Sequence, residues 1–173
     1  MTRMMTAGLA GVAALGLLAV PAAAAPVSVS GAKPTANVRI LKPLQLTALR
    51  NLDFGTIVMG PLTGNDTVSV TTAGRTCGTS GNLTCTGSFT TAQYRVNGTT
   101  NQQVLITSAS PTYVLTGSNG GSVTLTPSFP GTVVVDNSGN PGVLFQVGGS
   151  FLIGPATPDG VYSGTIDIQV AYP

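Results

Sequence analysis

Short runs of alternating apolar and polar residues dominate this chain of 173 residues and limit what it can fold into. Val68 and Val70, for example, alternate with threonine and serine. Such runs recur at intervals of about ten residues, which is the spacing of short strands joined by turns. Turn-forming pairs separate them: Asn97-Gly98, Gly120-Gly121, Pro130-Gly131, Ser138-Gly139 and Gly148-Gly149. Because no helical period follows the N-terminal residues, the pattern predicts an all-β fold, either an antiparallel β-sandwich or a barrel.

The clearest alternation lies near the C-terminus, from Tyr162 to Tyr172. Its even-numbered residues are mostly large and apolar, whereas its odd-numbered residues are small or polar. One face of such a strand enters a core and the other face meets water. Asp159-Gly160 supplies a turn into the run. We therefore predict one long final strand, so that the end of the chain is itself part of a sheet.

The first residues have the pattern of an export signal. A short positive start at Thr2-Arg3 precedes an apolar run, Ala7 to Val20, that is too short to span a bilayer. Pro21 ends the run, and the small residues after it fit cleavage before Ala25. An uncleaved membrane anchor is the alternative interpretation.

This pattern sets the predicted organisation of the chain. We expect a cleaved signal peptide over residues 1–24, a mobile leader over 25–35 and one domain over 36–173. The protein is then exported to the periplasm, the cell surface or the extracellular medium. We expect no membrane span after cleavage, because no second apolar stretch approaches membrane length.

The two cysteines agree with export. Cys77 and Cys85 enclose a stretch of turn-forming residues. In an oxidising compartment, the direct interpretation is a disulfide bond that closes a hairpin loop. Two free thiols are the alternative, whereas a redox site would need closer spacing.

Composition excludes several classes of function. The chain has seven Lys and Arg residues, five acidic residues and no histidine. Without histidine there is no Ser-His-Asp triad, Cys-His pair or histidine metal site. A net charge of +2 from scattered bases is too weak to hold nucleic acid. The five acids are all aspartates and are dispersed along the chain. We therefore predict no catalytic residues, no metal site, no cofactor and no enzymatic activity.

Five stretches of the chain carry a family resemblance. They are Ala36–Leu46, Leu52–Ile57, Phe89–Gly98, Phe145–Gly149 and Pro158–Tyr172. The chain resembles a family of secreted bacterial domains of unknown function, which is in turn similar to spore coat protein U domains and chaperone–usher pilins. This resemblance implies an immunoglobulin-like (pilin-like) antiparallel β-sandwich. It also implies assembly into fibres or coats rather than catalysis.

The resemblance further implies association by β-strand addition, in which one copy donates an N-terminal segment to an open sheet edge of the next. The donor or first-strand residues are Val38, Ile40 and Leu44. The accepting-edge residues are Ile166, Ile168, Val170 and Tyr172. Tyr172 also occupies the penultimate position that a periplasmic chaperone grips in the resembled pilins, so self-association or a chaperone is the expected partnership.

Simpler interpretations of the same residues stay open. Ala36–Leu46 can be the first strand of its own domain, and Tyr172 can be a core aromatic at a sheet edge. Many pilins join their two opening strands by a disulfide bond, whereas here both cysteines lie in one predicted hairpin. We expect an exported, non-catalytic structural or adhesive subunit. The alternative is a monomeric secreted module on a complete sandwich, binding carbohydrate or a surface partner.

Overall fold

The computed structural model of the chain describes residues 24–136 and 142–173. Apart from Ala24, the predicted signal peptide lies outside the described residues. Those residues form thirteen strands and no helix, and all strand pairs are antiparallel. The strands are β1 (Gln45–Arg50), β2 (Thr56–Met59), β3 (Asp66–Thr71), β4 (Gly74–Cys77), β5 (Leu83–Thr86), β6 (Ala92–Asn97), β7 (Gln103–Ser108), β8 (Tyr113–Gly117), β9 (Ser122–Ser128), β10 (Thr132–Val134), β11 (Val143–Ile153), β12 (Tyr162–Ser163) and β13 (Ile168–Ala171). The predicted all-β class is confirmed, and the antiparallel sheets fit a β-sandwich.

The strands form three sheets. The largest has eight strands, in the order β1-β6-β11-β9-β8-β12, with β3 paired to β11 and β4 to β3. A second sheet has the order β10-β7-β13, and β2 pairs with β5 in the third. Strand β11 connects the parts of the large sheet, because its first half pairs with β6 and its second half with β3. At this junction Gly148 has no space for a Cβ, which would overlap the Val70 carbonyl oxygen.

Alternation along the strands builds two apolar clusters. Cluster 1 contains Ala92, Val96, Val104, Ile106, Val135, Phe145, Val147 and Ile168. Cluster 2 contains Val68, Leu83, Val123, Leu125, Phe151 and Ile153. Leu52 and Ile166 pack against both clusters. The period of two read from the sequence therefore identifies the inward-facing residues of the sheets.

The predicted final strand is divided into two. Tyr162 and Ser163 pair with β8, whereas Ile168–Ala171 pair with β7 in a different sheet. Between them the backbone crosses from one sheet to the other, and the Tyr113 hydroxyl donates a hydrogen bond of 2.6 Å to the Asp167 carbonyl. The prediction of one continuous strand is therefore wrong. The alternation nevertheless persists across the crossing, because Ile166 and Ile168 both pack inward.

The chain begins its first strand later than the alternation near residue 36 suggests. It divides into two units, one that ends at Val38 and one from Arg39 to Pro173. In the first unit, the described residues 24–38 form no strand and are all exposed. In the second, pairing begins only at Gln45, opposite Asn97.

The two cysteines form a disulfide bond, with Cα atoms 5.8 Å apart. The bond does not close a simple hairpin, because β4 pairs with β3 and β5 pairs with β2. Cys77 and Cys85 therefore join strands of two different sheets. The chain-entropy model gives so short a loop a stabilising effect of about 2–3 kcal/mol.

Asp66 organises the loop between the two cysteines. Its carboxylate accepts hydrogen bonds from the backbone amides of Thr67, Thr79 and Ser80 at 2.9 Å each. The Ser80 hydroxyl, followed by the Ser80 and Thr79 amides, holds the pKa of the Asp66 carboxyl well below its usual range. These donors stabilise the charged form of the carboxyl group.

This depressed pKa makes the folded state sensitive to acid. Because the folded-state pKa of Asp66 lies below its unfolded value, the charged carboxylate stabilises the fold above the unfolded pKa of about 4. That stabilisation is lost as pH falls below this value. We expect Asp66→Asn to lower the melting temperature at pH 7, as measured by circular dichroism. The difference in melting temperature between wild type and variant should shrink steadily from about pH 5 to about pH 2, the range in which carboxyl groups titrate. A difference that is independent of pH would contradict this role.

Candidate functional site

A groove of about 950 Å³ runs along one side of the domain. Three strands border it. The bordering side chains are Ala48 and Arg50 of β1, Ile57 and Met59 of β2, and Tyr162 and Ser163 of β12. Strands β1 and β12 end the path β1-β6-β11-β9-β8-β12 of the eight-stranded sheet, from which β3 and β4 branch at β11. Side chains from both ends of this path therefore line the groove.

The bordering strands have free backbone edges. Within the described residues, β1 pairs only with β6, β2 only with β5 and β12 only with β8. An edge strand presents unpaired N–H and C=O groups along its open side. These three strands therefore have unpaired backbone groups that another extended chain could bind.

The floor of the groove is apolar. Val123, Leu125 and Phe151 of cluster 2 line it, and each is almost fully buried. Phe54 packs edge-on against Phe151, with ring centroids 4.7 Å apart. Ala92 and Tyr94 extend the floor toward cluster 1. An occupant would thus bury its own apolar side chains against the two cores.

Two carboxylates and one guanidinium lie along the groove. Asp53 accepts a hydrogen bond of 2.8 Å from the Gly55 amide. Asp159 also lines the groove and lies in the loop before β12. Arg50 donates from Nε to the Thr91 carbonyl at 2.9 Å and from Nη2 to the Thr91 hydroxyl at 3.1 Å. Within residues 24–136 and 142–173, no three acidic or cysteine side chains are placed to hold a metal ion.

A family model described as a domain of unknown function, DUF4402, matches residues 44–172. The chain belongs to the DUF4402 family. No curated protein and no solved structure matches the chain. The DUF4402 region begins at Leu44, a residue that packs against cluster 1 just before β1. The exposed residues 24–40 therefore precede the family domain.

The three residues predicted for the donor or first strand of this DUF4402 protein lie in different surroundings. Val38 and Ile40 are 86% and 84% exposed and belong to no strand. Leu44 instead packs against cluster 1. The sequence thus grouped two exposed residues that precede the DUF4402 region with one residue of the folded domain.

The predicted accepting-edge residues also lie at different places in the DUF4402 domain. Ile166 lines the groove. Ile168 of β13 belongs to cluster 1, and Val170 and Tyr172 pack against that cluster. Strand β13 pairs with β7 alone in the described residues, so its other edge is open as well. Of these four residues, only Ile166 contributes to the groove.

The sequence pattern predicts no role for most of the residues that line the groove. Leu52, Phe54 and Ile57 all line it, and these are the residues of the motif Leu52-x-Phe54-Gly55-x-Ile57. That motif contributed to the family resemblance but received no function. The spacing of this motif indicates that it is not a simple strand, because its three large apolar residues within six positions do not lie on one strand face. Leu52 and Phe54 lie in the irregular connection from β1 to β2, and Ile57 lies in β2. All three pack against cluster 2, and Leu52 also packs against cluster 1.

Proposed function

We propose that this protein is an exported, non-catalytic structural subunit of a surface fibre or coat, comparable to a pilin, whose copies associate by β-strand addition. One observation carries the proposal: an apolar groove bordered by three strands with free edges. Such a groove supplies both requirements of an added strand, namely backbone partners and pockets for alternate side chains.

The N-terminal segment, residues 24–40, supplies the donor in this proposal. Val27 and Val29 are two positions apart, as are Val38 and Ile40, and all four side chains are highly exposed. In an extended strand each pair faces the same side. The two pairs would face opposite sides of one continuous strand, so a docked segment would bury one pair in the groove. Exposing these apolar side chains is unfavourable in water, whereas a groove lined by apolar side chains would bury the pair that docks.

Charge also favours this pairing. Lys33 and Arg39 give the segment two positive charges and no negative one. Asp53 and Asp159 line the groove, and the Arg50 guanidinium that also lines it is already hydrogen-bonded to Thr91. Complementary charges of this kind steer encounter and fix the register of an interface more than they raise affinity.

The contact would propagate. Because the segment and the groove are different surfaces, each copy can give its segment to one neighbour and accept a segment from another. Such a heterologous contact produces a fibre or a sheet of subunits. The predicted signal peptide and the disulfide bond support assembly outside the cytoplasm, since disulfide bonds persist in oxidising compartments.

Deleting residues 25–40 tests the proposal. All residues of both clusters, and all side chains packed on them, lie at Leu44 or beyond, so the shortened chain keeps the complete core. We expect residues 25–173 to form oligomers whose mass rises with concentration and residues 41–173 to remain monomeric, as measured by light scattering after size exclusion. Equal masses for the two proteins would refute donation by the segment. If residues 25–173 are a monomer that binds glycans on an array, the alternative of a monomeric binding module is correct.

A further inference from the structure

The base of the N-terminal segment is attached to the C-terminal end of the domain through one hydroxyl group. Tyr172 donates a hydrogen bond from Oη to the Lys42 carbonyl at 2.8 Å and accepts one from the Thr99 amide at 2.7 Å. Lys42 in turn donates from its amide to the Thr99 hydroxyl at 2.6 Å. These three hydrogen bonds, which we call the Tyr172 clamp, join Lys42, the loop between β6 and β7, and the end of β13.

Packing around the clamp is close. A Cβ on Gly98 would lie 2.6 Å from the Tyr172 hydroxyl oxygen and 2.7 Å from Leu44 Cδ2. Only glycine therefore fits at this position without displacing the clamp. The Tyr172 ring packs against cluster 1, so the hydroxyl is held in place by the core beneath it.

The clamp and the groove involve the same pair of strands. Gln45, which follows the clamp, pairs with Asn97 at one end of β1 and β6. The groove is lined by Ala48, Arg50, Ala92 and Tyr94, from the middle of these strands to their other end. Three residues of extended chain, about 10 Å, separate Gln45 from Ala48, the nearest groove residue of β1. Lys42, which precedes β1, therefore lies before the end of β1 that is farther from Arg50.

We propose that Tyr172 is a positioning residue for assembly: its hydroxyl fixes the point from which the donor segment leaves, so that the segment reaches the next copy head to tail. This inference rests on the proposed function. The clamp has already ordered the backbone around Lys42, and a strand that begins from an ordered base loses less conformational entropy on docking. Opening the clamp would add flexible residues between the domain and its donor and would weaken association between copies.

Tyr172→Phe tests the inference, since it keeps the ring in cluster 1 and removes only the hydroxyl. Tyr113→Phe is the matched control: Tyr113 also donates to a backbone carbonyl, that of Asp167, and accepts from a backbone amide, that of Ser110. Association of residues 25–173 is measured by sedimentation equilibrium. We expect Tyr172→Phe to weaken it roughly five- to thirtyfold, the effect of one residue losing its order. Tyr113→Phe should associate like the wild type.

A second measurement separates positioning from damage to the groove. A free peptide of residues 25–40 is titrated into full mature chains that carry Val27→Asp and Val29→Asp, which disable their own donor. We expect the peptide to bind equally well with and without Tyr172→Phe, because a free peptide does not use the clamp. Amide exchange at Thr99 should accelerate in the Tyr172→Phe chain.

Each other outcome overturns a specific claim. If Tyr172→Phe associates like the wild type, or weakens peptide binding as much as association, the positioning role is wrong while strand addition stands. If the wild type does not associate and the chain carrying Val27→Asp and Val29→Asp does not bind the peptide, the proposed function fails, and the positioning role fails with it. Should Tyr172→Phe not fold, Thr99→Ala, which removes the acceptor of the Lys42 amide, gives the same expectation.

Discussion

Replacing Phe151 by alanine is expected to lower the free energy of unfolding by about 3–5 kcal/mol. Phe151 lies in β11 between β3 and β9, is 8% exposed and packs against Phe54. Removing its ring would leave a cavity in cluster 2 at the groove floor, where the surrounding strands are held by ladders on both sides and cannot collapse freely. Urea denaturation followed by far-ultraviolet circular dichroism measures the effect.

The neighbouring Leu152 provides the control for this prediction. It lies on the same strand but faces the other way and is 55% exposed. Leu152→Ala should therefore change the free energy of unfolding by no more than about 0.5 kcal/mol. Equal losses for the two substitutions would contradict the assignment of inward and outward faces in β11.

Substituting both Val27 and Val29 by aspartate is expected to abolish association between copies. If these side chains dock on the apolar floor, the substitution places two unpaired carboxylates there. Burying an unpaired charge costs several kcal/mol, so each aspartate should lower the association constant at least about a hundredfold. Sedimentation equilibrium of residues 25–173 measures this loss, and the fold should be unaffected because both valines are exposed in the monomer.

Val114→Asp is the matched control for the donor substitutions. Val114 is also a highly exposed valine, but it lies on β8 and does not line the groove. It should leave association unchanged within about twofold, as expected for a surface substitution away from an interface. Loss of association with Val114→Asp alone would place the contact between copies on the outer face of the sheet instead.

The sequence predicts the inward and outward faces of the sheets well, because a buried face imposes a period of two on each strand. It does not predict where a strand ends. The run from Tyr162 to Tyr172 keeps one period while its backbone moves between sheets, since Ile166 packs against both clusters and holds the alternation through the crossing. Side-chain pattern records burial, whereas sheet membership depends on partners distant in the chain.

The same limit explains the groove and the cysteines. Which edges of β1, β2 and β12 stay unpaired depends on the order of strands in the whole sheet, which no local pattern records. The disulfide bond predicted between Cys77 and Cys85 is confirmed, but the two cysteines lie in strands of different sheets and not in one hairpin. Likewise, apolar alternation near Val38 and Ile40 suggests a strand where both side chains are exposed, because alternation shows only that a segment can pair, not that it does.

Amide hydrogen exchange of the groove strands tests the central claim most directly. The full mature chain carrying Val27→Asp and Val29→Asp is labelled with ¹⁵N and exchanged with and without the free peptide of residues 25–40. If the groove accepts the donor segment, the peptide will slow exchange of amides at the open edges of β1, β2 or β12 and will leave β10 and β13 unchanged. Protection confined to the outer edge of β13, or no protection anywhere, would contradict the account.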